Sequence, residues 1–180
     1  MQSYYVWDPL VRLFHWSLVI LFAVNALITD PEARLHELLG YAVLGLIGLR
    51  LIWGIVGSRY ARFSSFPPSI SGAVGHLTEI ATGRTQKHKG HSPLGALMIY
   101  NLLITLTGIG LSGYLMTTDM FWGTEWPEDL HEALVTWAEL SVVLHVAAVV
   151  FESRRTQVKL ARAMITGYKE VATGETESSP

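Results

Sequence analysis

Four of the seven histidines, His15, His36, His131 and His145, fall in or at the edge of long apolar stretches. An ionisable side chain inside a bilayer is costly, so four of them call for a joint explanation. His131 and His145 stand 14 residues apart; at 100° and 1.5 Å per helical residue they differ by about 40° in azimuth and about 21 Å in height. One face of one helix therefore presents two imidazoles at two levels. His36 opens the second apolar stretch, level with His131. His15 lies 13 residues before Ile28, the far end of the first stretch, which sets it about 20 Å lower, level with His145. The histidines sort into two pairs, one at each height. Two facing imidazoles with no further donor suit the axial positions of a haem iron. One ring nitrogen coordinates, and the other N–H bonds to a carbonyl or polar side chain that orients the ring. Zinc asks for four ligands; Glu37 and Glu132 beside the upper pair keep a metal site open as an alternative, as does simple hydrogen bonding between helices.

Arg50 follows His36 by 14 residues, so the same arithmetic puts it on that face at the lower level. A buried arginine there needs an anionic partner, for which a haem propionate is suited. Arg12, one turn before His15, is a second candidate for a propionate contact. The alternative for both is snorkelling to the headgroups. The chain has no cysteine, which removes disulfides, iron–sulfur clusters, thiolate zinc sites and covalent haem attachment.

The elements that must position these residues are transmembrane helices. Half of the 180 residues are hydrophobic and 16% are charged, an apolar balance for a soluble domain. Four stretches reach the roughly 20 residues needed to cross a bilayer: Leu10 to Ile28, Leu35 to Val56, Leu94 to Met116 and Leu134 to Phe151. Pro9, Pro93 and Pro127 mark helix starts, and Asp30-Pro31 closes the first span. Arg59, Arg62, Arg84, Lys87 and Lys89 lie between spans two and three, and Arg154, Arg155, Lys159, Arg162 and Lys169 follow span four. The other two connections hold Arg34 against Asp30, Glu32, Asp119, Glu125, Glu128 and Asp129. The positive-inside rule then predicts an all-α, four-helix membrane bundle with both termini and the middle loop cytoplasmic. The opening MQSYYVWDP lacks a basic n-region and a cleavage site, which predicts a retained first helix rather than a removed signal peptide.

Ile70, Val74, Leu77 and Ile80 recur at helical spacing between Pro68 and Gly83 and predict a short interfacial helix. Val158, Ala161, Ile165 and Tyr168 oppose a basic face, predicting that the fourth helix runs on into the cytoplasm. The domain reading is a membrane domain over residues 1–155, then a cytoplasmic amphipathic helix and disordered tail over 156–180. Gly108 and Ser112 suggest close helix packing. Glu139 lies inside span four, and His76 and His88 read as loop residues.

The stretches carrying these residues are VWDPLVRLFHWSLV at 6–19, HELLGYAVLGLIGLRLIWGIVGSRYARF at 36–63, GHSPLGALMI at 90–99 and the pair His131…His145. Over about residues 6–155 the chain resembles the bacterial cytochrome b561 superfamily, in the branch with the cytochrome b subunits of nickel–iron hydrogenases. The resemblance implies two b-type haems, one on His15 and His145 and the other on His36 and His131. It also implies quinone chemistry, with a quinone as a further bound group, and a protein redox partner. His91 matches the GH-x-P-L-G motif, where a propionate or quinone contact is implied; a solvated loop histidine is the alternative.

The function expected is electron transfer across a bacterial inner membrane, between the quinone pool and a periplasmic c-type cytochrome or a hydrogenase-like complex. Membrane lipid is expected around the chain and nucleic acid is not a partner. A second reading is a superoxide oxidase delivering electrons to ubiquinone, and a third a non-redox anchor whose histidines only bridge helices. An enzyme collecting superoxide should steer an anion with positive charge. The acidic outer connections instead favour a basic protein partner.

Overall fold

The computed structural model describes residues 2–84 and 90–171; the readings of Lys87, His88 and Lys89 and of the tail after about Thr173 lie outside them. Four helices are long and apolar enough to cross a membrane: α1 (Pro9–Leu27), α2 (Arg34–Val56), α4 (Pro93–Met116) and α5 (Trp126–Thr156). Between α2 and α4 runs the shorter α3 (Ile70–Ala81), and α5 is followed by α6 (Leu160–Thr166). Two short strands, β1 (Gln2–Tyr5) and β2 (Tyr168–Val171), pair antiparallel. The fold is the expected all-α membrane bundle with a small sheet added at one end.

The helix starts follow local chemistry. Asp8 caps α1 by accepting from the Val11 amide at 2.9 Å, Ser69 caps α3 through Gly72, and Ser92 caps α4 through Gly95. Each satisfies an amide that the first turn leaves open. Proline occupies the first turn of α1, α4 and α5, where its missing N–H costs nothing. The 31 residues of α5 span about 46 Å, well beyond a hydrocarbon core of about 30 Å. It begins at Trp126, with Pro127 in its first turn as the sequence marks it, two turns before the apolar stretch that opens at Leu134.

The bundle core is made by α1, α2 and α4, where Val43, Ile47, Leu103 and Leu106 are buried against Phe14, Leu18, Leu21 and Phe22. Helix α5 rests on the far side of α4. Lipid offers no hydrophobic drive between helices, so small residues and interhelical hydrogen bonds must supply the contact. A Cβ on Gly110 would come within 2.8 Å of Leu44 on α2, and one on Gly108 within 2.8 Å of Leu134 on α5. Asn101 on α4 donates to Ser141 at 2.9 Å and accepts from the Trp137 indole at 2.9 Å, a polar clamp within the apolar span. Leu13, Ile20, Ile55, Ile104 and Val143 stand exposed, as lipid-facing positions should.

Helix α3 appears where the spacing predicted it. Its Ala73 and His76 are buried toward the protein while Ile70, Val74 and Leu77 face outward, the disposition of a helix lying on a membrane surface. His76 is thus a buried helical residue rather than a loop residue. It stands 3.2 Å from Arg155 Nη2 and 3.9 Å from Glu152, tying α3 to the end of α5.

The expectation that the fourth helix runs on is corrected. Gln157 adopts a left-handed conformation, φ 57° and ψ 21°, and the chain turns back so that β2 reaches β1 in the register Ser3↔Glu170 and Tyr5↔Tyr168. Val6 and Trp7 donate their amides to the Gly167 carbonyl. Gly167 has φ +87°, and a Cβ there would meet the Trp7 carbonyl at 2.8 Å, so glycine is required. The predicted apolar face is split accordingly: Val158 is buried and Ile165 exposed.

Gly54 is buried on α2, and a Cβ there would overlap the Phe63 ring. Gly54→Ala should destabilise the detergent-solubilised protein by about 1–3 kcal/mol through overpacking, read as a lower thermal midpoint. Gly75→Ala, in open space on α3, should leave the midpoint unchanged or raise it slightly.

Candidate functional site

His15 comes from α1, His36 from the first turn of α2, and His131 and His145 from α5. The rings of His15 and His145 have centroids 6.4 Å apart at an interplanar angle of 56°. Those of His36 and His131 are 6.3 Å apart at 63°. An imidazole nitrogen binds a metal at about 2 Å, so two rings on opposite sides of one iron have centroids about 6 Å apart. Both distances fit a metal between the rings, and neither fits a direct hydrogen bond. The helices are placed to match. Close packing among the described residues runs α1 on α2, α2 on α4 and α4 on α5, so each histidine pair joins α5 to a helix outside its close packing. Among the described residues no third His, Cys, Asp or Glu completes a metal-binding group.

Neighbouring groups orient the rings of the His36–His131 level. His131 Nδ1 lies 3.0 Å from the Ile109 carbonyl and 3.2 Å from Ser112 Oγ. His36 Nδ1 lies 3.4 Å from Thr29 Oγ1. With Nδ1 engaged on both rings, Nε2 is left as the coordinating atom. Gly113 admits the His131 ring, which lies 3.3 Å from where a Cβ would sit. Gly40, one turn after His36, meets nothing within 4 Å and leaves open space beside the imidazole. At the other level His15 Nδ1 is buried without a hydrogen-bond partner.

Arg50 is 6% exposed. Its Nη2 donates to the Ala61 carbonyl at 3.0 Å, its guanidinium lies over the Phe63 ring at 4.8 Å, and its Nη1 is buried with no partner. One donor of a buried cation is thus left over, as a site for a carboxylate requires. Arg12 donates through Nη1 to the Ile165 carbonyl at 2.6 Å near the end of α6, where a cation meets the negative helix pole, and its Nε is likewise buried with no partner.

His91 is packed rather than solvated: its ring lies 4.6 Å from Trp7 and 4.1 Å from Phe66. Burial, then the charges of Arg50 and Lys169, push its pKa down to about 3, so at neutral pH it is an uncharged imidazole beside Arg50. Glu139 is exposed.

Sequence reasoning passed over two charged groups at this end. Asp8 accepts from the Trp53 indole at 3.2 Å and from the Ser58 hydroxyl besides capping α1. Burial raises its pKa, but the bonds from Ser58, Val11, Trp53 and Leu10 outweigh it and leave the carboxyl below its usual value. The signal available was an Asp directly before Pro9, an N-cap pattern. Lys169 on β2 is buried, donates to the Gly90 carbonyl at 3.2 Å, and is pulled down to about 8 by desolvation against the pull of Glu152. Nothing local marked it, since its burial depends on β2 meeting β1.

Residues 6–167 match the family model described as prokaryotic cytochrome b561. No curated protein and no solved structure matches the chain.

Proposed function

The chain belongs to the prokaryotic cytochrome b561 family, multi-pass bacterial membrane proteins that bind b-type haem, and from that premise we propose that it carries two haems and moves electrons across the inner membrane. The observation that carries this reading is the pair of inter-ring distances, 6.4 and 6.3 Å, each joining α5 to a helix outside its close packing. In this reading His15 and His145 hold one haem, and His36 and His131 the other. Bound haem supplies a one-electron iron centre at each level. The protein's part is to fix the two levels about 21 Å apart along α5, to orient His131 through Ile109 and Ser112, and to offer Arg50 Nη1, with neutral His91 nearby, to a propionate of the His15–His145 haem.

The end carrying Arg59, Arg62, Arg84, Arg154, Arg155, Lys159 and Arg162 is taken as cytoplasmic by the positive-inside rule. The opposite end presents Asp30, Glu32, Asp119, Glu125, Glu128, Asp129 and Glu132, all exposed. Such a rim attracts a basic protein and repels a small anion, which favours a soluble c-type cytochrome or a comparable electron carrier over superoxide. Electrons then pass between that carrier and the quinone pool.

Three outcomes test this. Pyridine haemochrome assay of the purified protein should give two b haems per chain, and His145→Ala should give one. A colourless wild-type protein returns the histidines to helix bridging, and two haems in the variant overturn the pairing. Arg50→Leu should lower one haem midpoint by tens of millivolts, where about 59 mV is a tenfold change for one electron, and spare the other; equal shifts remove the propionate role. Electron exchange with a basic cytochrome c should slow steeply between low and physiological ionic strength as charges more than about 10 Å apart are screened, and a flat salt profile rules out electrostatic docking.

A further inference from the structure

Where α5 gives way to α6, the left-handed turn at Gln157 leaves a hollow on each side of the elbow. One, of about 290 Å³, has Val149, Val150 and Leu160 on its wall and Arg154, Lys159 and Arg162 at its edge. The other, of about 390 Å³, shares Lys159 and Arg162 and adds the hydroxyls of Ser3, Thr166 and Tyr168 together with Glu170. Among the described residues none of the three cations forms an ion pair.

The two hollows share their cations and differ in the rest of their lining. Val149 and Val150 belong to the apolar end of the fourth span, at acyl-chain depth, while the cations and hydroxyls follow it at headgroup depth. A ligand filling both must be apolar at one end and anionic at the other, because three cations face one carboxylate. The hydroxyls give a polyol headgroup its hydrogen-bond partners. We propose that the α5–α6 elbow is a binding site for an anionic phospholipid, its phosphate held between Lys159 and Arg162 and one acyl chain laid along Val149, Val150 and Leu160. Basic pockets beside spanning helices recognise headgroups in this way, and Arg162 offers a phosphate two parallel donors. The site does not depend on haem occupancy, so it stands or falls apart from the electron-transfer reading.

The test is native mass spectrometry of the delipidated full-length chain, titrated with phosphatidylglycerol, phosphatidylethanolamine and phosphatidylcholine of matched acyl chains. Phosphatidylglycerol should be retained most strongly. Lys159→Ala and Arg162→Ala should each weaken its retention about fivefold with the visible spectrum and thermal midpoint unchanged. Equal retention of the three lipids by the wild-type protein overturns the proposal without reference to any variant, and so does undiminished retention by folded variants. Displacement of phosphatidylglycerol by soluble glycerol phosphate at comparable concentration would make the elbow a phosphate site rather than a lipid site, and also overturns it.

Discussion

The close approach of α4 to both of its neighbours governs where everything else stands. Gly110 lets Leu44 of α2 in from one side and Gly108 lets Leu134 of α5 in from the other, so α4 is a thin spacer between them. The clamp of Asn101 on Ser141 and Trp137 then stops α5 from sliding or rotating. Both devices suit a bilayer, where contact area between helices is not rewarded by leaving water and must be won by fit and by hydrogen bonds. Held along its span by α4, α5 turns its histidine face toward α1 and α2 without closing on them.

The basic end of the bundle is built on another principle. Few side chains there rely on lipid; they are cross-tied through polar contacts over long stretches of sequence. Asp8 joins the start of α1 to Trp53 and Ser58 at the end of α2. Arg12 and Trp16 donate to the Ile165 and Met164 carbonyls of α6, and Val6, Trp7 and Ala163 form a small apolar cluster beneath the sheet. Arg50 lies beside this knot, held by Ala61 and Phe63. Its orientation therefore depends on the loop after α2 as much as on its own helix.

The parts of the fold that obey a local period were legible in the sequence. Four apolar runs of spanning length became four helices, and the spacing of Ile70, Val74 and Leu77 located α3. The 14-residue steps from His131 to His145 and from His36 to Arg50 brought imidazoles to two levels and left Arg50 buried with a spare donor. What escaped was decided by contacts between residues far apart. The four-residue strands QSYY and YKEV carry no period of their own and exist only as partners. The amphipathic reading of residues 158–168 assumed an unbroken helix, and a single left-handed residue at Gln157 redirected it. His76 reads as a loop residue in the sequence, and solvation of His91 stays open there beside the propionate or quinone contact its motif implies, because nothing within a turn of either foretells Arg155, Trp7 or Phe66 as neighbours. Sequence pattern reaches along a single regular element, whereas these side chains answer to elements more than 20 residues away.

The pairing of β1 with β2 also imposes an order on biosynthesis. Tyr5 leaves the ribosome 163 residues before its partner Tyr168, a delay of roughly 8–33 s at about 5–20 residues per second. Throughout that interval the first strand has no mate, and the α1 residues that grip α6 have nothing to grip. The sheet forms only after all four helices are inserted with both of its strands on the same side of the membrane. A chain that has inverted one helix, or stalled before the last, cannot close it. The two-stranded zipper therefore closes last, and its pairing is the signature of a chain whose four helices are all in place.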